Sequence, residues 1–496
     1  MGFDFLNDRD FRLIAIVVVL TVSLNAGHIC TTVDTVSANA LLVFVCYSFY
    51  FALLGSRLRY RPKAVIAASV VIFSFIGLVI GLHFSIAPIY GISFGVFQGL
   101  VIPLLLWPVS IVWSPDSLVW LLSVVSVWTS MDSLVASAYG IAVTLPIQLY
   151  RFPLLLQPIS LFGFASLDAF VIACNCILAT FFLSFTSESV RVLRALPLVR
   201  LFLLVGMWLI LSNALWYSFD GDEENSAIIA TISPGYRFNG NLTDMLNMTK
   251  TAASNDAKYI VWPELYIQSP SLNETCQEYI AREIVPEIAS LGIYLVVGCY
   301  QRLLDTHCAD ANLAITLGPG GTVLGTYGKE HPVTMIGEQS CFTNGYHAYP
   351  MSEESLSFST LICYDMDFSD SPSKVTDLNV SLILNPSEDW SSARGHFSAS
   401  VFRAVENRVA VAKCDWGWDS AIIDPLGRIL SIYDTESIHR EILSANVPLF
   451  SKDNEWNYSR QLILPILFIF ASIVVSILSV KRIRFGETDL QTSLLG

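Results

Sequence analysis

Along the first 218 residues the hydrophobic positions run together instead of alternating with polar ones. Roughly 20 apolar residues are needed for a helix to cross a bilayer. Stretches of that kind lie at about 11–31, 36–55, 64–84, 88–113, 117–138, 155–185 and 198–218, and an eighth at 461–480. Pro88, Pro103, Pro108, Pro146, Pro153 and Pro158 predict kinks or re-entrant turns. Such breaks survive at membrane depth only against protein or along a cavity. The first stretch is followed closely by others, so it reads as an anchor and not as a cleaved signal.

Between residues 219 and 460 the pattern changes. Short β-rich runs occur at Tyr259–Trp262, Ile293–Cys299, Leu313–Leu317, Thr322–Tyr327, Ser357–Cys363, Val380–Leu384, Val409–Lys413, Ser420–Ile423 and Arg428–Tyr433. Gly-rich turns at 317–321 and 424–427 join pairs of them. Helical periodicity fits 274–291 and 394–408. This interleaving predicts an α/β sandwich, with strands buried between helix layers. The chain thus divides into a membrane domain at 1–218, an α/β domain at 219–460, and a last span with its tail at 461–496.

Charge sharpens that division. Residues 1–218 carry 10 basic and 8 acidic side chains, whereas residues 219–460 carry 15 and 32. An acidic surface repels phosphate backbones, so nucleic acid is not an expected partner. Overall, 53% hydrophobic and 14% charged residues exclude a disordered chain and a purely soluble one. Arg57, Arg59, Arg61 and Lys63, then Arg191 and Arg194, then Lys481, Arg482 and Arg484 cluster in three loops. Eight spans with both termini cytoplasmic put all three on one side and residues 219–460 on the other. Five N-x-S/T sequons, at Asn241, Asn247, Asn273, Asn379 and Asn457, all fall in that far-side region. They point to a secretory lumen or the exterior. One or two disulfides are expected there if the compartment is oxidising.

Three predicted strand ends carry reactive groups: Glu264 after Trp262-Pro263, Lys329 after Tyr327-Gly328, and Cys363 before Tyr364-Asp365. A thiol attacks only as thiolate. A nearby glutamate can take its proton, and an ammonium can stabilise the oxyanion formed on a carbonyl. Together they make an acyl-transfer set. Singly, each has a plainer reading as a packed thiol, a loop carboxylate or a solvated lysine. Gly91-Ile92-Ser93-Phe94-Gly95 matches a serine-nucleophile pattern but lies in an apolar span, where small residues serve close helix packing. Asp132, Asp168 and His83 are intramembrane ionisable residues, functional candidates or interfacial caps. No metal site or cofactor is expected, since His307 and Cys308 lack further ligands at zinc spacing.

In their order and flanks, Glu264, Lys329 and Cys363 resemble the nitrilase (carbon–nitrogen hydrolase) superfamily. The multi-span front resembles its membrane branch, the apolipoprotein N-acyltransferases. The stretch from Tyr327 to Glu338 is similar to that family's Y-x-K-x-H-L-V-P-F-G-E signature, and Cys363-Tyr364-Asp365 to its C-Y-E. Residues 403–408 are similar to its R-A-x-E-N helix, and 385–390 to its S-N-D-x-W loop. The resemblance implies an α-β-β-α sandwich with Glu264 as general base, Lys329 as oxyanion stabiliser and Cys363 as nucleophile. It also implies Glu338 as a second glutamate that positions them. Trp262, Tyr364 and Trp390 are the expected substrate-binding residues. The implied partners are membrane lipid, a phospholipid acyl donor and an amine acceptor such as a lipidated protein N-terminus. An amidase-type hydrolase with the same set is the alternative within enzymes, and a non-catalytic membrane scaffold or transporter the alternative outside them. Three departures bear on substrate identity: one extra residue between Lys329 and Glu338, Asp365 in place of the family's Glu, and Cys414-Asp415-Trp416-Gly417-Trp418 in place of an Asn-Thr-Gly-like turn.

Overall fold

The computed structural model describes residues 8–29, 37–56, 62–83, 88–141, 144–185, 195–218, 225–235, 241–268, 274–302, 310–334, 337–339, 345–352, 356–389, 396–416, 419–433, 440–450, 463–475 and 477–480. The apolar runs form helices α1 (Asp8–Ile29), α2 (Ser48–Gly55), α3 (Pro62–His83), α4 (Pro88–Val112) and α5 (Leu118–Tyr139). Next come two single turns, α6 (Pro153–Leu156) and α7 (Ile159–Phe162), then α8 (Phe164–Ser184) and α9 (Ala195–Ser218).

Among the described residues seven helices, not eight, are long and apolar enough to span, the last at 463–480. The expected span at 36–55 is a 3-10 segment, Ser37–Phe44, followed by the short α2. The expected span at 155–185 is also broken. Gly163 adopts φ 73°, which suits glycine, and α8 starts only after it. Pro146, Pro153 and Pro158 lie in that broken stretch, while α4 continues through Pro103 and Pro108. Gly95 serves packing: a Cβ there would stand 2.1 Å from the Phe73 carbonyl oxygen on α3.

The second half is a two-sheet sandwich. In chain order it runs β1 (Ser226–Ser233), α10 (Leu242–Ser254), β2 (Tyr259–Val261), β3 (Ile267–Gln268), α11 (Cys276–Glu283), α12 (Val285–Ile288), β4 (Tyr294–Arg302), β5 (Asp310–Leu317) and β6 (Val323–Gly328). It continues with β7 (Tyr349–Pro350), β8 (Ser357–Thr360), α13 (Asp370–Thr376), β9 (Leu382–Pro386), α14 (Phe397–Asn407), β10 (Ala410–Cys414), β11 (Ser420–Ile423), β12 (Ile429–Tyr433) and β13 (Glu441–Pro448). One sheet has the order β13-β1-β2-β4-β5-β6, with β3 on β4; the other is β12-β11-β10-β9-β8-β7.

Apolar residues from both inner faces, such as Val261, Val296, Phe358 and Leu384, fill the space between the sheets. A second core, with Ile260, Leu295 and Ile280, lies under α10 to α12. The predicted helix 274–291 is split into α11 and α12 because Pro286, in the first turn of α12, cannot donate to the preceding turn. A disulfide, Cys276–Cys299, ties α11 to β4.

The sandwich sits on the membrane helices through α14. Arg408 donates to Gln157 Oε1 at 2.6 Å and to Ser160 Oγ at 2.9 Å. Glu406 accepts from the Phe164 backbone N–H at 2.8 Å, capping the positive end of α8. Arg403 pairs with Glu406 and donates to the carbonyls of Met366 and Asp367. One helix therefore holds both the membrane domain and the turn that follows Cys363.

Candidate active site

Strands β8, β9 and β10 are parallel, so their C-terminal ends lie together. Ligand chemistry in α/β sheets gathers at such ends. β2 leads to Glu264 and β6 to Lys329. Space for the Glu264 turn comes from Gly298 on β4, where a Cβ would stand 2.2 Å from the Pro263 carbonyl oxygen and 2.6 Å from Glu264 Cα. The turn is then held by Glu264 N–H to the Ser387 carbonyl and by the Trp416 indole N–H to the Glu264 carbonyl at 2.7 Å.

Lys329 Nζ lies 2.8 Å from Glu264 Oε1 and 2.8 Å from Glu338 Oε2. Asn312, on β5, donates to both glutamates. Glu264 Oε2 accepts from the Glu388 N–H at 2.9 Å, and Glu338 Oε2 from the Val333 N–H at 2.7 Å. Lys329 and Glu264 are each 2% exposed. Burial alone would pull the ammonium's pKa down, but Glu264, Cys363 and Glu338 outweigh it and hold Lys329 well above the usual lysine range. Burial opposes the Glu338 charge too, yet Lys329 and the donated hydrogen bonds hold its carboxyl below its ordinary value. Lys329 is thus a fixed cation between two anions.

Cys363 ends the expected strand differently. β8 stops at Thr360, and Cys363 opens a 3-10 turn, Cys363–Asp367, with φ 42°. The left-handed backbone is costly for a residue with a Cβ. Asp365 holds it: its carboxylate accepts from the N–H groups of Ile362, Glu330 and His331 and from the Tyr327 hydroxyl. The shorter side chain at the family's Glu position therefore knits the nucleophile turn to the segment after Lys329. Burial raises its pKa to about 6 despite those donors.

The Cys363 thiol is free and 5% exposed. Burial pushes it well above the ordinary thiol range, the Glu264 charge pushes the same way, and Lys329 and Lys413 oppose them. The resting group is a neutral thiol that needs a base.

A further set of charges, missed in the sequence, surrounds the other side of the sulfur. Cys363 Sγ lies 3.7 Å from Asp389 Oδ1. Asp389 also bonds His396 Nδ1 at 2.8 Å and Lys413 Nζ at 2.6 Å. His396 Nε2 meets Asp367, and Lys413 reaches Asp415 at 3.3 Å. Burial opposes the Asp389 charge, but His396 and Lys413 hold the carboxyl far below the usual range. The metal-capable atoms of Cys363, Asp389 and His396 lie within 4.8 Å of one another. Lys413 and His396 already supply positive charge there, so no metal role is assigned. Asp389 sits in the 385–390 loop noted above, and Asp415 in the departing turn; only their convergence was hidden.

Two expected substrate contacts change. Trp262 is fully buried in the outer core, where its indole N–H donates to Thr249 on α10 at 3.0 Å and its ring packs edge-on against Tyr266. Val261 faces the space between the sheets, so strand alternation turns Trp262 to the outer side. Trp390 lies outside the described residues. Tyr364 stays beside the nucleophile, half-buried, with its hydroxyl donating to the Tyr139 carbonyl at the end of α5 at 2.7 Å.

A carbon–nitrogen hydrolase family model matches residues 227–449, the whole two-sheet unit. These residues form a carbon–nitrogen hydrolase domain. Over 371 residues the chain is 22% identical to an apolipoprotein N-acyltransferase of Treponema denticola, across 62% of this chain and 67% of that one. Among solved structures it is similar to an amidase of the nitrilase superfamily from Nesterenkonia, with 18% identity and a TM-score of 0.37, covering 45% of this chain and 90% of that one. A mutant of that amidase in complex with butyramide gives 19%, 0.38, 45% and 91%. Beside this domain, seven helices among the described residues are long and apolar enough to cross a membrane.

Proposed function

We propose that the protein is an acyltransferase that moves an acyl chain from a phospholipid, through a Cys363 thioester, to an amine. The observation that carries this reading is a buried, ion-paired Glu264–Lys329–Glu338 set facing a free thiol whose turn is tied to the membrane helices by Tyr364 and Arg403.

Glu264 takes the thiol proton as Cys363 sulfur attacks the ester carbonyl. Lys329 faces the negative charge that develops on the carbonyl oxygen. The tetrahedral intermediate collapses, the C–O bond breaks, and Glu264 returns the proton to the leaving lysophospholipid oxygen. In the second half an amine nitrogen attacks the thioester, Glu264 accepts its proton, and the C–S bond breaks. The thiolate recovers that proton. A lipidated protein N-terminus is an acceptor of the required chemistry.

The proposed placement of the catalytic domain is non-cytoplasmic. The basic loops support it, with 36–55 counted as a crossing. So do the exposed Asn241 and Asn247 sequons and the Cys276–Cys299 disulfide. Asn379 is half-buried, and Asn273 and Asn457 lie outside the described residues.

The test is incubation of the full chain with acyl-labelled phospholipid and then a diacylated lipopeptide bearing a free amine. Label on the amine is expected. Release of free fatty acid alone would make the protein a hydrolase, and label transfer by C363A would remove the mechanism.

A further inference from the structure

The membrane domain contains a mostly apolar cavity with a few polar groups on its wall, built from residues other than those of the chemistry above. Its volume is about 50 Å³. One water needs roughly 10–15 Å³ on the same scale, so the space suits a small ion or a few waters and not a lipid headgroup. Its walls include Asn25 on α1, Tyr47 before α2, Phe73 on α3, Trp128 and Asp132 on α5, and Gln148 below α14. Asn25, Asp132 and Gln148 are at least nine-tenths buried, and so is Asp168 on α8.

Asn25 Oδ1, Gln148 Oε1, Asp132 Oδ2 and both Asp168 carboxyl oxygens have no hydrogen-bond partner among the described residues. The Asp132 and Asp168 carboxyls are electrostatic neighbours. Buried acceptors without donors are costly, and each calls for a partner. The Trp128 indole N–H and the Leu145 backbone N–H lie towards Asp132, and the Thr129 hydroxyl lies towards Asp168. His28, the other ionisable group besides Asp132 and Tyr47 on the wall, is already committed, with its ring nitrogens 3.1 Å from the Ala40 carbonyl and 2.7 Å from the Leu145 carbonyl. No lysine or arginine is among the described residues that line the cavity.

The unpartnered Asn25 Oδ1, Gln148 Oε1 and Asp132 Oδ2 on one cavity wall suit a cation that donates hydrogen bonds. Tyr47, Phe73 and Trp128 pack together on the same wall, with Tyr47 and Trp128 ring centroids 4.5 Å apart. Aromatic faces of this kind favour an organic cation. We propose that this cavity is a binding site for a small primary ammonium group, held by Asp132, Asn25 and Gln148. The site stands independently of the acyl-transfer reading. Its occupant would link α1, α3 and α5 to the turn carrying Gln148.

The test is thermal unfolding of the full chain in nanodiscs. Methylammonium chloride is titrated against N-methyl-D-glucamine chloride, a cation too large for the cavity, at constant ionic strength. A ligand that binds only the folded state raises the midpoint. The expected result is a saturable rise on the order of 5 °C with methylammonium, absent in D132N and in Gln148→Leu. The second variant adds no charge change, so it decides the matter if D132N does not fold. No rise in the wild type, or an equal rise in both variants, overturns the site. A rise with sodium or potassium and none with methylammonium overturns the ammonium assignment.

Discussion

Replacing Lys329 with Met removes the cation held between Glu264 and Glu338 while keeping most of the side chain's volume. Glu264 and Glu338 would then share Asn312 as donor with no ammonium between them. Removing one partner of a buried pair costs about 3–5 kcal/mol, because the remaining charge is stranded. In a domain of this size that is a midpoint shift of roughly 6–20 °C.

The pH dependence gives the sign. In the wild type the Glu338 pKa is depressed, so its contribution is present above the unfolded value of about 4.3 and is lost as pH falls through the folded value. The Lys329 pKa is raised, so its contribution is full below about 10.4 and is lost as pH rises through the folded value. Both are therefore complete near neutrality. In K329M, Glu338 loses the ammonium that holds its carboxyl below the ordinary value, so it takes up a proton more readily as pH falls. The deficit should be largest near pH 8 and shrink by about 1–2 kcal/mol near pH 5, on the basis of 1.36 kcal/mol per pKa unit. Denaturant unfolding in nanodiscs, followed by tryptophan fluorescence at both pH values, measures it. A deficit below about 1 kcal/mol, or one that grows towards low pH, would refute the reasoning.

Arg408 tests the bolt between the two halves. R408A should cost about 2–4 kcal/mol by orphaning the buried Gln157 and Ser160. R408G should cost about 1 kcal/mol less, because Arg408 has φ 51° and glycine carries no penalty there; urea titrations of both variants check the order. His331 lies 3.2 Å from Asp370, and although burial pulls its pKa down, Asp370 and neighbouring acids raise it above the ordinary value. Its contribution is full below about 6.5 and fades as pH rises through the folded value, so H331Q should cost about 0.5–1 kcal/mol at pH 6 and little at pH 9 in paired melts. Replacing both Cys276 and Cys299 with Ala should lower stability by about 3 kcal/mol, the scale for a loop of this length. A non-reducing against reducing melt of the wild type should give the same difference.

Much of this architecture was legible because it rests on local signals. Uninterrupted apolar runs marked most of the spans, and alternating short runs with Gly-rich turns marked most strands. Ser226–Ser233 and Glu441–Pro448 were missed, although they pair with each other along their whole length. Their pairing partners are over 200 residues apart, so no local turn announces them. The break at Gly163 was hidden because backbone conformation, and not hydropathy, ends the helix there. In the site, Glu264, Lys329 and Glu338 were recognisable from their flanks and do meet. Trp262 was misplaced because its neighbour in sequence points to the opposite side. Asn312, His396 and Lys413 carried no motif of their own; only the meeting of β5, β9, β10 and α14 with the nucleophile turn gives them a place beside the reaction.

The central claim is that Cys363 carries the acyl group. The full chain is held in phospholipid nanodiscs without any amine, digested, and examined by mass spectrometry. The account predicts a fatty-acyl mass increment on the peptide containing Cys363, released by hydroxylamine and absent in E264Q and K329M. An unmodified Cys363 in protein that still transfers acyl groups, or an acyl group found on another residue, would contradict it.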